Sequence, residues 1–274
     1  MVGRLSAHCC GYSFFYRNFA ELDKLRNEYF VEITSDILGF WVLAPQLEAR
    51  HKIIDKLIRE NSTNQILEIA AGFSARGLIM TQNPSLKYVE FDLPTVIEHK
   101  TKIIETIIEK SKLDRRHNLF FEKGNALDST EINNAARHFD PKPITIINEG
   151  FMRYLSFDEK TIFAKNVHYL LQKFGGQWIT SDITLKKMLD KVNEATHGHH
   201  QKVAKITGID VDKNRFENEE DAKKFFANLG FSIERHSFME VWDELVSPKN
   251  VGVSDKDARN LIENAVVYIM RIND

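Results

Sequence analysis

The stretch Gln65-Ile-Leu-Glu-Ile-Ala-Ala-Gly-Phe-Ser-Ala-Arg-Gly77 constrains this chain more than any other. Ile66, Leu67 and Ile69 form a short apolar run of the kind buried on both faces of a parallel sheet. Glu68 interrupts that run near its end, where a carboxylate is ordinarily unwelcome. Ala70, Ala71 and Gly72 leave a turn almost without side chains, and helix-compatible residues follow from Ser74. Strand, tight turn and helix make the first step of an open α/β sheet, in which ligands bind outside the carboxyl ends of the strands.

The rest of the chain repeats that alternation. Gln46 to Glu60 reads as an amphipathic helix with Leu47, Ile53, Ile54, Leu57 and Ile58 along one side and Arg50 beside them. Tyr88 to Phe91 is a second strand, closed by Glu90 and Asp92. These acids lie 18 and 20 residues beyond Gly72, about the spacing at which a second-strand acid meets a ribose in dinucleotide-binding folds. Thr95-Val-Ile-Glu98 has the form of a capping box opening the next helix, which would leave Asp92 available to a ligand. That helix carries Val96, Ile97, Ile103, Ile104, Ile107 and Ile108, with Lys100 inside the stripe and in need of an acid or a route to water. Leu119 to Phe121 is a third strand, followed by Gly124-Asn-Ala-Leu-Asp128, where Asp128 is expected to cap a helix. Ile144 to Ile147 is a fourth strand, ending at Asn148-Glu149-Gly150, and Gln177 to Thr184 a fifth. A helix over Lys223 to Phe231 stops at Gly230, and two strands near 232–241 and 265–272 close the chain as an antiparallel pair. This order predicts a three-layer α/β sandwich. The aromatic-rich residues 1–45 are expected to be helical and to pack over the ligand edge of the sheet, as core or as a lid.

Several function classes are disfavoured by bulk properties. No linker, repeat or low-complexity tract divides the 274 residues, so one domain is expected. A formal net charge of −2 leaves no basic footprint for nucleic acid. The longest uncharged apolar stretch, Ile37 to Pro45, is too short to span a membrane, and the N-terminal residues lack the apolar core of a signal peptide. Cys9 and Cys10 are adjacent and cannot readily pair, which points to the cytoplasm. His197, His199 and His200 read as a solvated loop rather than a metal site, and no metal is expected.

The small positions of the organising turn are Ala70, Gly72 and Ala75, only one of them glycine, which suits a pyrophosphate poorly. Glu68, two residues before the first, would repel one. With Glu68, Asp92 and Glu149 each at a strand end, three carboxylates would meet at one edge of the sheet. They suit a ligand that is cationic at one end and carries a ribose diol, as S-adenosyl-L-methionine does with its sulfonium and ammonium groups. The alternative is that each acid caps a helix or pairs with Arg50, Arg76 or Lys100.

Three segments occur in order: Leu67-Glu-Ile-Ala-Ala-Gly-Phe-Ser-Ala-Arg76, Phe91-Asp-Leu-Pro-Thr-Val-Ile97 with Lys100, and Asn148-Glu-Gly-Phe-Met-Arg-Tyr-Leu155. Together they resemble the leucine carboxyl methyltransferase-like family, which includes bacterial O-methyltransferases of polyketide pathways. The resemblance covers about residues 46–184. It implies the class I S-adenosylmethionine-dependent methyltransferase fold, a mostly parallel seven-stranded Rossmann-like sheet, here with a helical N-terminal extension. Residues 1–45 would form a cap, 46–184 the cofactor-binding core, and 185–274 a substrate-side insertion with the closing strands. By the resemblance, Arg50 holds the methionine carboxylate and Gly72 passes its backbone close to the methionine portion; Glu68 and Ala70, beside it at the organising turn, are counted among the cofactor-binding residues. Asp92 takes the ribose hydroxyls, Asn125, Ala126 and Leu127 border the adenine, and Glu149 faces the methionine end. Tyr154 shapes the transfer site, and Arg153 either binds an acidic substrate or faces water. The expected activity is methyl transfer to a carboxylate or hydroxyl of a small molecule or peptide terminus. A catalytically silent S-adenosylmethionine- or nucleotide-binding module and an NAD(P)-dependent oxidoreductase are the other readings.

Overall fold

A computed structural model describes residues 43–61, 63–186 and 213–273. Residues 1–42 of the expected cap at 1–45, with Cys9 and Cys10, and the histidine cluster at 197–200 lie outside the described residues.

The chain enters through helix α1 (Ala44–Asn61) and strand β1 (Gln65–Ile69), then the short helix α2 (Arg76–Met80) and β2 (Lys87–Asp92). Next come α3 (Pro94–Lys110), β3 (Leu119–Lys123), α4 (Ser129–Ala135), β4 (Ile144–Asn148), α5 (Phe157–Phe174) and β5 (Gly176–Thr180). After the undescribed segment follow α6 (Glu219–Ala227), β6 (Phe231–Ser237), α7 (Ser247–Val251), α8 (Asp255–Ile262) and β7 (Val266–Ile272). The seven strands form one sheet in the order β3-β2-β1-β4-β5-β7-β6. All pairings from β3 through β5 are parallel, and β7 runs antiparallel to both of its neighbours. This is the mostly parallel, doubly wound sheet that the sequence predicts.

Strand side chains alternate between faces, and the core divides accordingly. Ile66, Tyr88, Ile147, Ile179 and Ile269 pack with Ile53, Ile54 and Leu57 of α1, Ile104 of α3 and Ile262 of α8. Leu67, Val89, Ile146, Trp178 and Met270 pack on the other face with Phe163, Val167 and Leu170 of α5 and Phe226 of α6. Both faces are thus covered, which is why β1 and β4 read as near-continuous apolar runs. Glu68 falls on the Ile66 side, and Glu90 and Asp92 fall on the Tyr88 side. All three acids therefore project toward the layer built by α1, α2 and α3.

Several local expectations differ from what is observed: the helix expected over 223–231 runs over Glu219–Ala227, and Phe231 opens a β6 that ends at Ser237 rather than near 241. Helix α3 starts at Pro94 behind Leu93, whose extended backbone caps it without a side-chain bond. The Pro94 ring pre-sets the first helical dihedral, so Thr95 lies inside the first turn and forms no capping box. Strand β5 ends at Thr180 rather than Thr184, because Asp182 turns its carboxylate back toward the end of β4. Asp128 does cap α4, accepting from the N–H groups of Thr130 and Glu131.

Candidate functional site

The turn after β1 is held in an unusual backbone state. Ala70 has φ 55° and Gly72 has φ 48°, both left-handed. That region costs a residue with a Cβ ~1–2 kcal/mol, and a methyl is the smallest side chain that can carry it. The turn is pinned from β2: Ala71 N–H donates to the Phe91 carbonyl at 3.3 Å, and Gly72 N–H donates to Asp92 Oδ2 at 2.7 Å. Lys100 Nζ donates to the Ala71 carbonyl at 3.3 Å and lies 2.5 Å from Glu90 Oε2. Lys100 is thereby the buried cation that the sequence required to find an acid. Burial raises the Glu90 pKa to about 7, against the pull of Lys100.

Asp92 is buried at the end of β2 and does not cap α3. Its Oδ1 accepts from Leu93 N–H at 2.7 Å. The loop after β3 is brought beside it, since Gly124 N–H donates to the Asp92 carbonyl at 2.9 Å. In that loop Asn125 Oδ1 accepts from Leu127 N–H at 3.0 Å, and the carbonyl of buried Ala126 accepts from Asn166 Nδ2 of α5 at 3.0 Å. The Asn125 side-chain oxygen is thus engaged within its own turn.

Beneath the turn lies a buried charged network. Arg76, the first residue of α2, meets four partners: Asp55 Oδ1 at 2.7 Å, Glu68 Oε1 at 2.6 Å, Glu149 Oε2 at 2.9 Å and His51 Nδ1 at 2.8 Å. Because Arg76 only donates, His51 Nδ1 is the acceptor, and its Nε2 carries the proton toward Asp55, 3.5 Å away. Burial and then the Arg76 charge lower the His51 pKa, so the ring stays neutral. Glu68 Oε2 accepts from the Tyr88 hydroxyl at 2.8 Å. Burial and then the Glu68 charge push the Tyr88 pKa well up, so it remains a donor. Glu149 also meets Arg50, whose Nε and Nη2 both lie 2.9 Å from Oε1. Burial opposes ionisation of Glu149, but Arg50 and Arg76 prevail and hold its pKa at about 2.

Of the three strand-end acids, Glu68 and Glu149 therefore share Arg76, while Asp92 stands one strand away against Gly72. Arg50 and Glu149 are brought together. Arg153 and Tyr154 occupy a short turn, Met152–Tyr154, directly after β4. The Arg153 guanidinium lies 5.8 Å from the Tyr154 ring centroid. Two residues of this edge are not legible in the sequence as site-builders. Arg76 reads there only as a pairing partner, and its role is spread over four elements that no local pattern links. Asp182 carries the same signal as Glu68, an acid closing an apolar strand, but the apolar pattern runs the fifth strand past it.

The donor set can be weighed against an S-adenosyl ligand. Its carboxylate would need a cation at the edge of the sheet, and Arg50 is of that kind. Its ribose diol would need an acceptor on β2, and Asp92 is of that kind. Its methionine chain would need close backbone approach, which a turn of small residues at 70–72 would allow. The residues fit. Among the described residues no group of three or more His, Cys, Asp or Glu is arranged to hold a metal, and no helix is long and apolar enough to cross a membrane.

Solved structures share this fold. A DUF574 family protein from Streptomyces avermitilis superposes with a TM-score of 0.58 at 13% identity, covering 100% of this chain and 97% of that one. Magnesium protoporphyrin IX methyltransferase from Synechocystis, with bound SAH, gives 0.51 at 10% identity over 96% of this chain and 98% of its own. An O-methyltransferase family protein from Burkholderia thailandensis gives 0.50 at 13% identity, over 95% and 70%. At such identities the likeness speaks for the fold. No curated protein matches the chain significantly. The family model for leucine carboxyl methyltransferase matches residues 23–167, more than half the chain. With the organising turn, the β2 acid and the β4 loop all inside that match, the chain belongs to the leucine carboxyl methyltransferase family and is an S-adenosylmethionine-dependent methyltransferase.

Proposed function

We propose that the protein transfers the methyl group of S-adenosyl-L-methionine to an oxygen, a carboxylate or hydroxyl, of a small molecule or peptide terminus. One observation carries the reading: Asp92 and the Arg50–Glu149 pair flank the left-handed turn at Ala70 and Gly72 on the same edge of the sheet. In this reading Arg50 holds the methionine carboxylate, and Glu149 keeps its guanidinium oriented. Asp92 accepts from the ribose hydroxyls, with Gly72 N–H fixing the carboxylate. Ala126 and Leu127 border the adenine. Glu68 acts from below, by holding Arg76.

The cofactor supplies an electrophilic methyl on a sulfonium, and the chain's task is to align the acceptor oxygen with it and exclude water. Positioning of this kind can be worth ~7–11 kcal/mol. Tyr154 shapes the transfer side, and Arg153 gives it a positive charge that suits an acidic acceptor. A carboxylate acceptor is already ionised near neutral pH and needs no base, whereas a hydroxyl would draw on one. Paired with the adjacent Cys9 and Cys10, the reading carries a cytoplasmic setting.

Calorimetric titration with S-adenosylmethionine, S-adenosylhomocysteine and NAD, followed by labelled-methyl transfer to a panel of carboxylic acids, phenols, alcohols and peptides, tests it. Binding of both S-adenosyl compounds with turnover on an oxygen acceptor is expected. Tight NAD binding without response to the other two would sink the reading, and binding with no turnover across the panel would favour a silent module.

A further inference from the structure

Glu149 is flanked by two residues that answer to one carboxylate. Asp182, buried just beyond β5, accepts from Asn148 Nδ2 at 2.7 Å through Oδ2 and from Gly150 N–H at 2.8 Å through Oδ1. The same carboxylate takes the N–H groups of Phe151 at 2.7 Å and Met152 at 2.9 Å. Three consecutive backbone donors thus converge on it, an anion-holding arrangement with the anion supplied by the chain itself. The Asn148 amide is oriented from its other end by Trp178 Nε1, which donates to Asn148 Oδ1 at 2.7 Å. With Oδ1 so occupied, only Nδ2 can face Asp182. The far end of the loop is held separately: Lys160 Nζ donates to the Leu155 carbonyl, and to the Asn214 carbonyl at 2.8 Å.

A carboxylate that only capped a short turn would need one or two of these bonds. This one grips the residue before Glu149 and the residue after it, and so removes the freedom of the peptide between them. Glu149 in turn carries Arg50 at 2.9 Å.

We propose that Asp182 is a positioning residue for the amino-acid end of the cofactor: by bracketing Glu149 between Asn148 and Gly150 it fixes the Arg50 guanidinium against the cofactor carboxylate. This rests on the assignment of Arg50 and Glu149 made above. The ribose and adenine contacts, on β2 and the β3 loop, are not held by Asp182.

That separation sets the test. S-adenosylhomocysteine carries the amino-acid end, and 5′-methylthioadenosine lacks it while keeping ribose, adenine and thioether. Calorimetric affinities of both are compared in the wild-type protein, in Asp182→Asn and in Asn148→Ala. Asp182→Asn keeps the shape but turns one acceptor oxygen into a donor facing an N–H. Its preference for S-adenosylhomocysteine should fall about tenfold, the size of one lost charge-assisted bond, with 5′-methylthioadenosine unaffected. Asn148→Ala should shift the preference in the same direction. Partial unfolding would scale both ligands alike, so the ratio reads positioning rather than stability. An unchanged ratio in both variants, or a parallel fall for the two ligands, overturns the proposal. A wild-type protein that binds S-adenosylhomocysteine no better than 5′-methylthioadenosine overturns the Arg50 and Glu149 assignment, and this inference with it.

Discussion

Arg76 and Glu68 form a buried ion pair, with Nη1 2.6 Å from Oε1, that ties the first residue of α2 to the end of β1. Because Asp55 and Glu149 lean on the same guanidinium, the pair is the centre of a network rather than an isolated contact. Removing the cation leaves three buried carboxylates short of a partner. Arg76→Met should therefore cost ~3–5 kcal/mol, the usual loss when one side of a buried pair is deleted. Urea unfolding read by circular dichroism checks this; a midpoint equal to wild type would show that the network adds nothing to stability.

The two aspartates at neighbouring loops should separate binding from capping. Asp92→Ala is expected to weaken S-adenosylhomocysteine binding by roughly 1.5–3 kcal/mol through lost charge-assisted hydrogen bonds. Asp128→Ala removes the α4 cap, costing ~1 kcal/mol of stability and leaving the ligand affinity as it was. Titration calorimetry beside thermal unfolding distinguishes them, and the reverse pattern would move the ribose away from β2.

Glu149 gives the protein a defined weakness to acid. Its folded pKa of about 2 lies below the ordinary 4.5, so the stability it contributes is complete above about pH 4.5. That stability is lost as pH falls toward about 2, some ~3 kcal/mol in all. Glu149→Gln should be less stable than wild type at pH 6, and the gap should narrow by more than half by pH 3. A gap that stays constant across those two pH values in urea titrations would contradict the pairing with Arg50 and Arg76.

Lys160 acts in the opposite direction at the alkaline end. Burial lowers its pKa from 10.5 to about 8, against the pull of Asp182 and Glu159. Between those values the unfolded chain holds a proton that the folded chain sheds, so this group makes stability rise with pH. Lys160→Met should abolish that rise. Unfolding midpoints at pH 7.5 and 9.5 for both proteins provide the comparison, and equal slopes would remove Lys160 from the account.

Much of this architecture is legible in the chain because the parallel strands are covered on both sides. Ile66, Leu67 and Ile69, and likewise Ile144, Ile146 and Ile147 around a buried Thr145, offer almost nothing polar to solvent on either face, so the pattern leaves one reading. The acids at the strand ends stand out against such runs for the same reason. What the pattern does not carry is pairing across elements. Nothing near Arg76 in sequence announces His51, Asp55 and Glu149, and no spacing rule relates Asp182 to the N–H groups of Gly150, Phe151 and Met152. The place of β7 between β5 and β6 is also hidden, since an antiparallel pair can join a sheet by either strand. At Thr95 a local motif was overruled by its neighbour, because a proline ring fixes the backbone before a hydroxyl can cap it.

The position of β7 bears on how the molecule is made. Among the described residues, strand β6 hydrogen-bonds to β7 alone and emerges from the ribosome before it, so it waits as a lone ribbon with β5 also open at its flank. Its exposed residues Ser232, Glu234 and Arg235 keep that ribbon hydrated, and the open flank of β5 is filled only when Val266 to Ile272 arrive. The nascent chain can thus lay down the parallel layers as they are translated, but β7, made after all of them, is the strand that seals them.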